Sequence, residues 1–272
     1  VQDTVVDDPR PRLTIVTVNR NMRDGLARTI ASVRDQTCAG VEHLVVDGAS
    51  TDGSPALLGE IAADGGAPLL RWLSEPDGGI YDAMNKGARL SRGTWLLFLN
   101  AGDELAAPDA LAPALAVAEA GGAGIVYGDA WVAYGDGSRA LRPAGPIDTI
   151  VRTMPFAHAA TLIRRDLLIE RPYATDGQAC DYAFFLACRS AGTAFRYVPG
   201  AIATVEAGGV SDRRRIRSTL ERWHAVRSLG CGSPRLDVWY AGALLRAAVA
   251  PPLARLAPAP FLRRLRRARL AG

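Results

Sequence analysis

The sequence is short of several things, and each shortage narrows its function. Of 32 basic residues only Lys86 is a lysine, an arginine bias that reflects genome base composition more than any activity. Four cysteines, Cys38, Cys180, Cys188 and Cys231, lie far apart with no CxxC spacing. That argues against a zinc site or a disulfide framework and for free thiols in a reducing compartment. No apolar run reaches the roughly 18 residues of a membrane-spanning helix; the nearest, Val238–Ala250, is short and carries Arg246 before Pro251. The first twelve residues, VQDTVVDDPRPR, are acidic, polar and proline-bearing, unlike a secretory signal. A cytoplasmic protein is therefore expected, with the inner face of the plasma membrane as a peripheral alternative.

What is present is a folding chain of 272 residues, 49% apolar and 22% charged, long enough for a sizeable core. The net charge of +4 is compatible with phosphate ligands, nucleic acid or an anionic membrane. From Leu13 to Asp129 short apolar runs alternate with helical stretches. Strands are expected over Leu13–Val18, His43–Asp47, Leu69–Leu73, Thr94–Asn100 and Gly124–Gly128. Helices are expected over Arg23–Asp35, Pro55–Ala63, Ile80–Ser91 and Pro108–Ala120. Such alternation implies an α/β fold, a Rossmann-like, mostly parallel sheet with helices on both faces. Ligands of these sheets bind at the carboxyl ends of the strands, where Asn19, Asp47, Glu75, Asp77, Asn100 and Asp103 fall.

After Asp129 the pattern becomes α+β. WVAYGDGSRALR reads as a hairpin turning at Gly135-Asp136-Gly137, Ala159–Ile163 and Phe195–Glu206 as strands, and Asp181–Ala191 as a helix. Ser211 is a candidate cap for a helix running to about Leu229. From Leu236 two Arg-studded helical segments are expected, separated by Pro251-Pro252 and Pro258–Pro260. The segment FLRRLRRARL, Phe261–Leu270, is amphipathic; it fits a helix docked on its own domain or one held at an anionic membrane surface. The expected organisation is an extension over 1–12, a parallel-sheet half over 13–129, an α+β half over 130–210 and a C-terminal helical region over 211–272.

Individual residues carry competing readings. Asp47 ends a strand before Gly48-Ala49-Ser50, where a carboxylate can accept from a base or ribose and small residues let a ligand approach. Asp52 and Ser54 read as caps of the next helix. Gly78-Gly79 precede a helix that places Asp82, Asn85, Lys86 and Arg89 on one face. That face is either a surface ion-pair row or, with free backbone N–H groups at the helix start, an approach for a diphosphate. Asn100-Ala101-Gly102-Asp103-Glu104 ends a strand where one carboxylate and phosphate oxygens together can hold a divalent cation. His158 is either a satisfied core histidine or an acceptor or phosphate contact. Trp131, Tyr134, Tyr182 and Phe184 either stack on sugar rings or fill the core.

Five segments in order, LTIVTVNRN, ASVRDQT, EHLVVDGASTDGS, SEPDGGIYDAMNKG and GTWLLFLNAGDE, resemble the family 2 inverting glycosyltransferases of the GT-A fold. Among these the chain is most similar to bacterial exopolysaccharide enzymes such as those of colanic acid synthesis. YGDAWVAYGDGSR, HAATLIRR, CDYAFFLA and GGVS extend the resemblance to Ser211. The resemblance implies a nucleoside-diphosphate-sugar donor and a saccharide acceptor, lipid-linked in the reading favoured by the Arg-rich tail, and no nucleic acid. It makes 13–129 the nucleotide-sugar-binding half and 130–210 the acceptor-side half of one GT-A domain. It implies that Thr17 and Asn19 line the nucleoside pocket and that Asp47 binds base or ribose. Asp77, Asn85 and Lys86 would lie along the donor, and Asn100 to Asp103 matches the metal motif, with Asp103 as the carboxylate for Mg²⁺ or Mn²⁺. Asn100 stands where the family more often has an acid, which weakens the expected metal affinity. Asp181 matches the general base, which takes the acceptor's proton as the nucleotide leaves; capping the following helix is its structural alternative.

Other classes fit less well. A sugar-nucleotide nucleotidyltransferase would carry a Gly-rich basic loop after the first strand, where this chain has Asn19-Arg20-Asn21-Met22, and no GxGxxG follows any strand. A non-catalytic sugar-nucleotide-binding or scaffold subunit of a polysaccharide assembly is the alternative that the Asn100 departure motivates.

Overall fold

The computed structural model describes residues 10–64, 70–208 and 214–256. Its framework is one nine-stranded sheet. The strands are β1 (Leu13–Asn19), β2 (Val41–Asp47), β3 (Leu70–Ser74), β4 (Trp95–Phe98), β5 (Glu104–Leu105), β6 (Ile125–Ala133), β7 (Arg139–Arg142), β8 (Thr161–Arg164) and β9 (Phe195–Glu206). They run in the order β3-β2-β1-β4-β8-β6-β9-β5, with β7 paired to β6. β1 to β4 are mutually parallel. β8 enters antiparallel between β4 and β6, which restores the original direction in β6 and β9.

Helices α1 (Arg23–Arg34), α2 (Ser54–Ala63), α3 (Ile80–Leu90), α4 (Leu111–Glu119), α5 (Arg165–Glu170), α6 (Cys180–Ser190), α7 (Arg215–Ser228) and α8 (Pro234–Leu256) complete the chain. Strands β1, β2 and β4 are buried on both faces, which is why they read as mostly apolar runs. The polar side chains within β1 and β2 pair with one another, Thr14 with Glu42 and Thr17 with His43. Val16, Val18, Leu44, Val46, Leu96 and Phe98 face α3 and α6 in one cluster, while Leu13, Ile15, Trp95 and Leu97 join α4 in another. Gly87 lets α3 lie directly on β1, because a Cβ there would collide with Val16.

Three departures from the sequence reading have physical causes. Gly124–Gly128 and the first arm of the expected hairpin merge into the single strand β6. The join is a bulge: register shifts at Gly128/Asp129 and Asp129/Ala130, and a Cβ on Gly128 would meet Gly200 O at 3.0 Å. The strand thus bends without ending. Second, Pro251-Pro252 does not interrupt α8, which runs through to Leu256; proline removes N–H donors, but its fixed φ is itself helical. Third, α5 and the two-residue β5 were not expected, both being too short to show periodicity. Ser211 and the amphipathic segment Phe261–Leu270 lie outside the described residues.

Candidate active site

The carboxyl ends of β1, β2 and β3 meet at one buried carboxylate. Asp47 accepts from Asn19 Nδ2 (2.7 Å), Ser50 Oγ (2.5 Å), Ser50 N (2.9 Å) and Ser74 Oγ (2.6 Å). It is 0% exposed. Burial alone would push its carboxyl up, but the donors from Ser50, Ser74 and Asn19 outweigh it and hold the carboxyl below its ordinary value. Asp47 is thus a bracket joining three strand ends, and both its oxygens are occupied within the protein. Thr17 is likewise turned inward, with Oγ1 2.9 Å from Nε2 of His43, a ring that burial keeps neutral by lowering its pKa to about 3. Ala49 and Asn21, flanking this bracket, hold left-handed backbone conformations at φ 55° and φ 53°.

Asp77 extends the cluster outward. A Cβ on Gly48 would collide with Asp77 Oδ2, so glycine is what lets this carboxylate sit against the strand end. Asp77 Oδ1 accepts from Gly79 N (2.9 Å) and lies 3.8 Å from the exposed guanidinium of Arg20. Lys86 reaches back from α3 to Glu75 (2.9 Å), to Pro76 O (2.8 Å) and to Asp82 (3.6 Å), fastening the donor-side loop. Asp82 in turn accepts from Gly78 N. Asn85 points away from this loop: it donates to Tyr173 O (2.8 Å) and accepts from Tyr173 N (2.9 Å) in a buried two-bond clasp. Its amide is thus hydrogen-bonded to the chain at Tyr173 on both its nitrogen and its oxygen. Asp52 bears out its capping role, accepting from Ser54 N and also from Arg23 N, so one carboxylate serves two helix starts.

The Asn100–Asp103 turn is held by Thr29 of α1, whose Oγ1 lies 2.7 Å from Asp103 O and accepts from Gly102 N. Gly102 takes φ 101°, a conformation that favours glycine. Asn100 Oδ1 is buried without a hydrogen-bond partner. Burial pushes the Asp103 carboxyl up to about 7; the N–H of Glu206 opposes the rise, and the charges of Glu206 and Glu104 add to it. Arg28 offsets those two by pairing with Glu206 (2.7 Å) and Glu104 (3.3 Å). Among the described residues no three His, Cys, Asp or Glu side chains form a metal cage. An orphaned amide oxygen and an under-compensated carboxylate nonetheless fit a hard cation that takes its remaining ligands from a diphosphate and water.

Asp181 lies in the first turn of α6, but the N-cap is Ala179 and the carboxylate caps nothing. Instead its Oδ1 accepts from Tyr81 OH at 2.9 Å, across a sequence separation of 100. Burial and Asp181 push the Tyr81 phenol well up, so it remains a protonated donor. His158, half-buried, stacks on Phe98 (centroids 5.3 Å apart) and meets Tyr173 OH at 3.0 Å. Burial lowers its pKa and the charge of Asp181 opposes that; Tyr173, 5.6 Å from the Tyr81 ring, connects it to the Tyr81–Asp181 pair. Tyr182 and Phe184 are core residues, at 2% and 3% exposure. Trp131 instead carries Arg139 over its ring at 4.6 Å.

The structure therefore gathers Asn19, Asp47 and Asp77 on one side and Asp181 with His158 on the other. Sequence reasoning missed Ser50, Ser74, Arg20, Tyr81, Tyr173 and Glu206. Tyr81 and Ser74 stood inside SEPDGGIYDAMNKG, Ser50 inside EHLVVDGASTDGS and Arg20 inside LTIVTVNRN, whereas Tyr173 and Glu206 had no local signal.

Comparison with known proteins identifies the family and the fold. The family model for Glycosyl transferase family 2 matches residues 14–178. An uncharacterized glycosyltransferase of Mycobacterium tuberculosis is 43% identical over 107 residues, 39% of each chain. A PGL/p-HBAD biosynthesis glycosyltransferase of Mycobacterium bovis is 38% identical over 120 residues, 44% of this chain and 46% of the relative. The matches thus span less than half the length of these curated relatives. The succinoglycan biosynthesis protein ExoO of Rhizobium meliloti is 34% identical over 136 residues, 50% of this chain and 37% of ExoO. Among solved structures, the mannosyltransferase PcManGT of Pyrobaculum calidifontis, in complex with GDP-Man and Mn²⁺, aligns with a TM-score of 0.62 at 22% identity. That alignment covers 93% of this chain and 80% of PcManGT. S. aureus TarS with UDP-GlcNAc aligns at 0.63 and 15% identity, covering 86% and 71%. The fold is GT-A, and the chain belongs to glycosyl transferase family 2.

Proposed function

We propose that the protein transfers a hexosyl or deoxyhexosyl group from a nucleoside-diphosphate sugar to a saccharide hydroxyl, with inversion, in bacterial cell-envelope or exopolysaccharide synthesis. The observation that carries the reading is the pairing of Asp181 with Tyr81. A carboxylate from the acceptor-side half is held by the helix that starts the donor half's signature. Asp181 takes the proton of the acceptor hydroxyl as its oxygen bonds to the anomeric carbon. The bond from that carbon to the diphosphate oxygen breaks, and the nucleotide leaves with the electron pair. Asn19, Asp47 and Asp77 shape the nucleoside end. Asp103 and Asn100 would hold a divalent cation, which when bound neutralises charge on the departing diphosphate. The Mn²⁺ complex of PcManGT and the succinoglycan role of ExoO support these assignments by analogy.

A lipid-linked acceptor is the finer part of the proposal. Val238, Ala241, Leu245 and Ala248 lie along one exposed face of α8, Val238 at 74% and Leu245 at 66% exposure. From Arg214 onward the chain carries thirteen arginines against Glu221 and Asp237, whereas residues 1–213 carry nineteen basic and twenty-six acidic residues. An apolar face on a strongly basic region suits an anionic bilayer surface. No helix among the described residues is long and apolar enough to cross a membrane. The double variant V238D/L245D is expected to lose co-sedimentation with phosphatidylglycerol vesicles, and retained binding would remove this part.

A thermal-shift screen of UDP, GDP and dTDP with and without Mn²⁺, followed by NMR of the product's anomeric configuration, tests the core reading. A nucleotide-dependent shift and an inverted product are expected. A retained configuration would refute inversion.

A further inference from the structure

Helix α6 cannot cap itself. Its N-cap, Ala179, has no side-chain acceptor, and the two residues that lead into the helix are held instead by Glu221 of α7. Oε2 accepts from Gln178 N at 2.6 Å and from Ala179 N at 2.9 Å, while Oε1 accepts from Arg217 Nε at 2.8 Å, one turn earlier on α7. Burial raises the Glu221 carboxyl, but the two amides and Arg217 outweigh it and hold it below its usual value. Room for this approach comes from Gly177, where a Cβ would stand 3.0 Å from Cys180 Sγ and 3.3 Å from Glu221 Oε2.

Asp181 sits two residues after the second captured amide. From the opposite side Tyr81 OH lies 2.9 Å from Asp181 Oδ1 and 3.0 Å from Gln178 O. The short segment Gln178–Asp181 is therefore gripped by α3 of the donor half and by α7 of the C-terminal region. Helix α7 is itself anchored: Val226 is fully buried, Trp223 stacks on Tyr240 with centroids 6.0 Å apart, and Trp223 Nε1 donates to Asp237 at 2.6 Å. Nothing in Glu221 touches the nucleoside end.

We infer that Glu221 is a positioning residue for Asp181, a carboxylate lent by the C-terminal helices that fixes where the base stands against the acceptor hydroxyl. The inference rests on the reading of Asp181 as that base. The family model matches residues 14–178, so Tyr81 and Gln178 lie within the match while Glu221 lies beyond it. Reacting groups displaced by about 1 Å can lose on the order of 100-fold in rate, so a lost cap at this place acts on turnover.

The test uses the full chain and its E221A, E221Q and D181N variants. UDP and GDP affinities are measured by calorimetry. Nucleotide release is then followed from UDP-glucose, UDP-N-acetylglucosamine or GDP-mannose, whichever the binding selects, with water as acceptor. E221A is expected to lower kcat about 10- to 100-fold with donor KM and nucleotide affinity within about twofold, and E221Q, which keeps an acceptor oxygen, to recover most of it. Amide exchange at Gln178 and Ala179 is expected to be slow in the wild type. Wild-type kcat in E221A, with D181N inactive, overturns the inference alone. Wild-type turnover in D181N overturns the base reading and the inference with it. A kcat loss in E221A matched by lost nucleotide affinity also overturns it, since the residue would then act on the whole fold. Should E221A fail to fold, fast exchange of the two wild-type amides still refutes the bracket.

Discussion

The two sides of the site are built by opposite strategies. On the side proposed for the donor the key contacts are made between neighbouring strand ends: Asn19, Asp47 and Ser74 end three adjacent parallel strands, Ser50 follows β2, and all of them meet at the Asp47 carboxylate. On the side proposed for the acceptor each contact spans a long stretch of chain, Tyr81 to Asp181, Asn85 to Tyr173 and Glu221 to Gln178. The first side is thus a local hydrogen-bonded unit, with Asn19 Oδ1 left buried without a partner, whose residues are expected to support fold and binding together. The acceptor side is a carboxylate placed by elements that converge only in the finished fold. Changes on the first side should therefore lower stability or nucleotide affinity, and changes on the second should lower turnover alone.

Among substitutions on the strand-end side, the largest effect is expected from D103N. It should reduce turnover on the order of 100-fold and abolish the Mn²⁺-dependent part of nucleotide binding, both read in one titration. Unchanged Mn²⁺ dependence would remove Asp103 from the metal role.

A smaller, purely structural effect is expected from D47N. Replacing one acceptor oxygen by an amide leaves buried donors unmet, at a cost of about 1–3 kcal/mol in denaturant unfolding. The sign of its pH dependence follows from the lowered carboxyl. The wild type gains stability from Asp47 above the unfolded value of about 3.9, and loses it as pH falls through the lower folded value. D47N should flatten that acid segment of the stability curve. The least effect is expected at the rim. The Arg12–Glu119 pair is about 40% exposed on each side, so R12A should cost within about 1 kcal/mol and leave both binding and turnover alone.

The same contrast explains how much could be read from the chain. The parallel half was legible because strands buried on both faces appear as mostly apolar runs, and because their polar ends must fall where ligands bind. Asp181 was placed correctly in a helix start, but its partner Tyr81 could not be found by spacing, since 100 residues separate them. The clasp of Asn85 on the Tyr173 segment was hidden for a related reason: helical periodicity does not say which neighbour an amide will meet. Asp47 was recognised as important, yet that it serves as a bracket depends on Ser74, one strand away. The bulge at Gly128 hid in what looked like a strand end.

The most direct measurement is a comparison of D181N with the wild type, following nucleotide binding by calorimetry and sugar transfer by nucleotide release on the same samples. If Asp181 is the base and the donor half binds independently of it, D181N binds the nucleotide with unchanged affinity while its turnover falls about 10²- to 10⁴-fold. Turnover at the wild-type rate, or a loss of nucleotide affinity equal to the loss of turnover, would contradict the division of labour between the two sides.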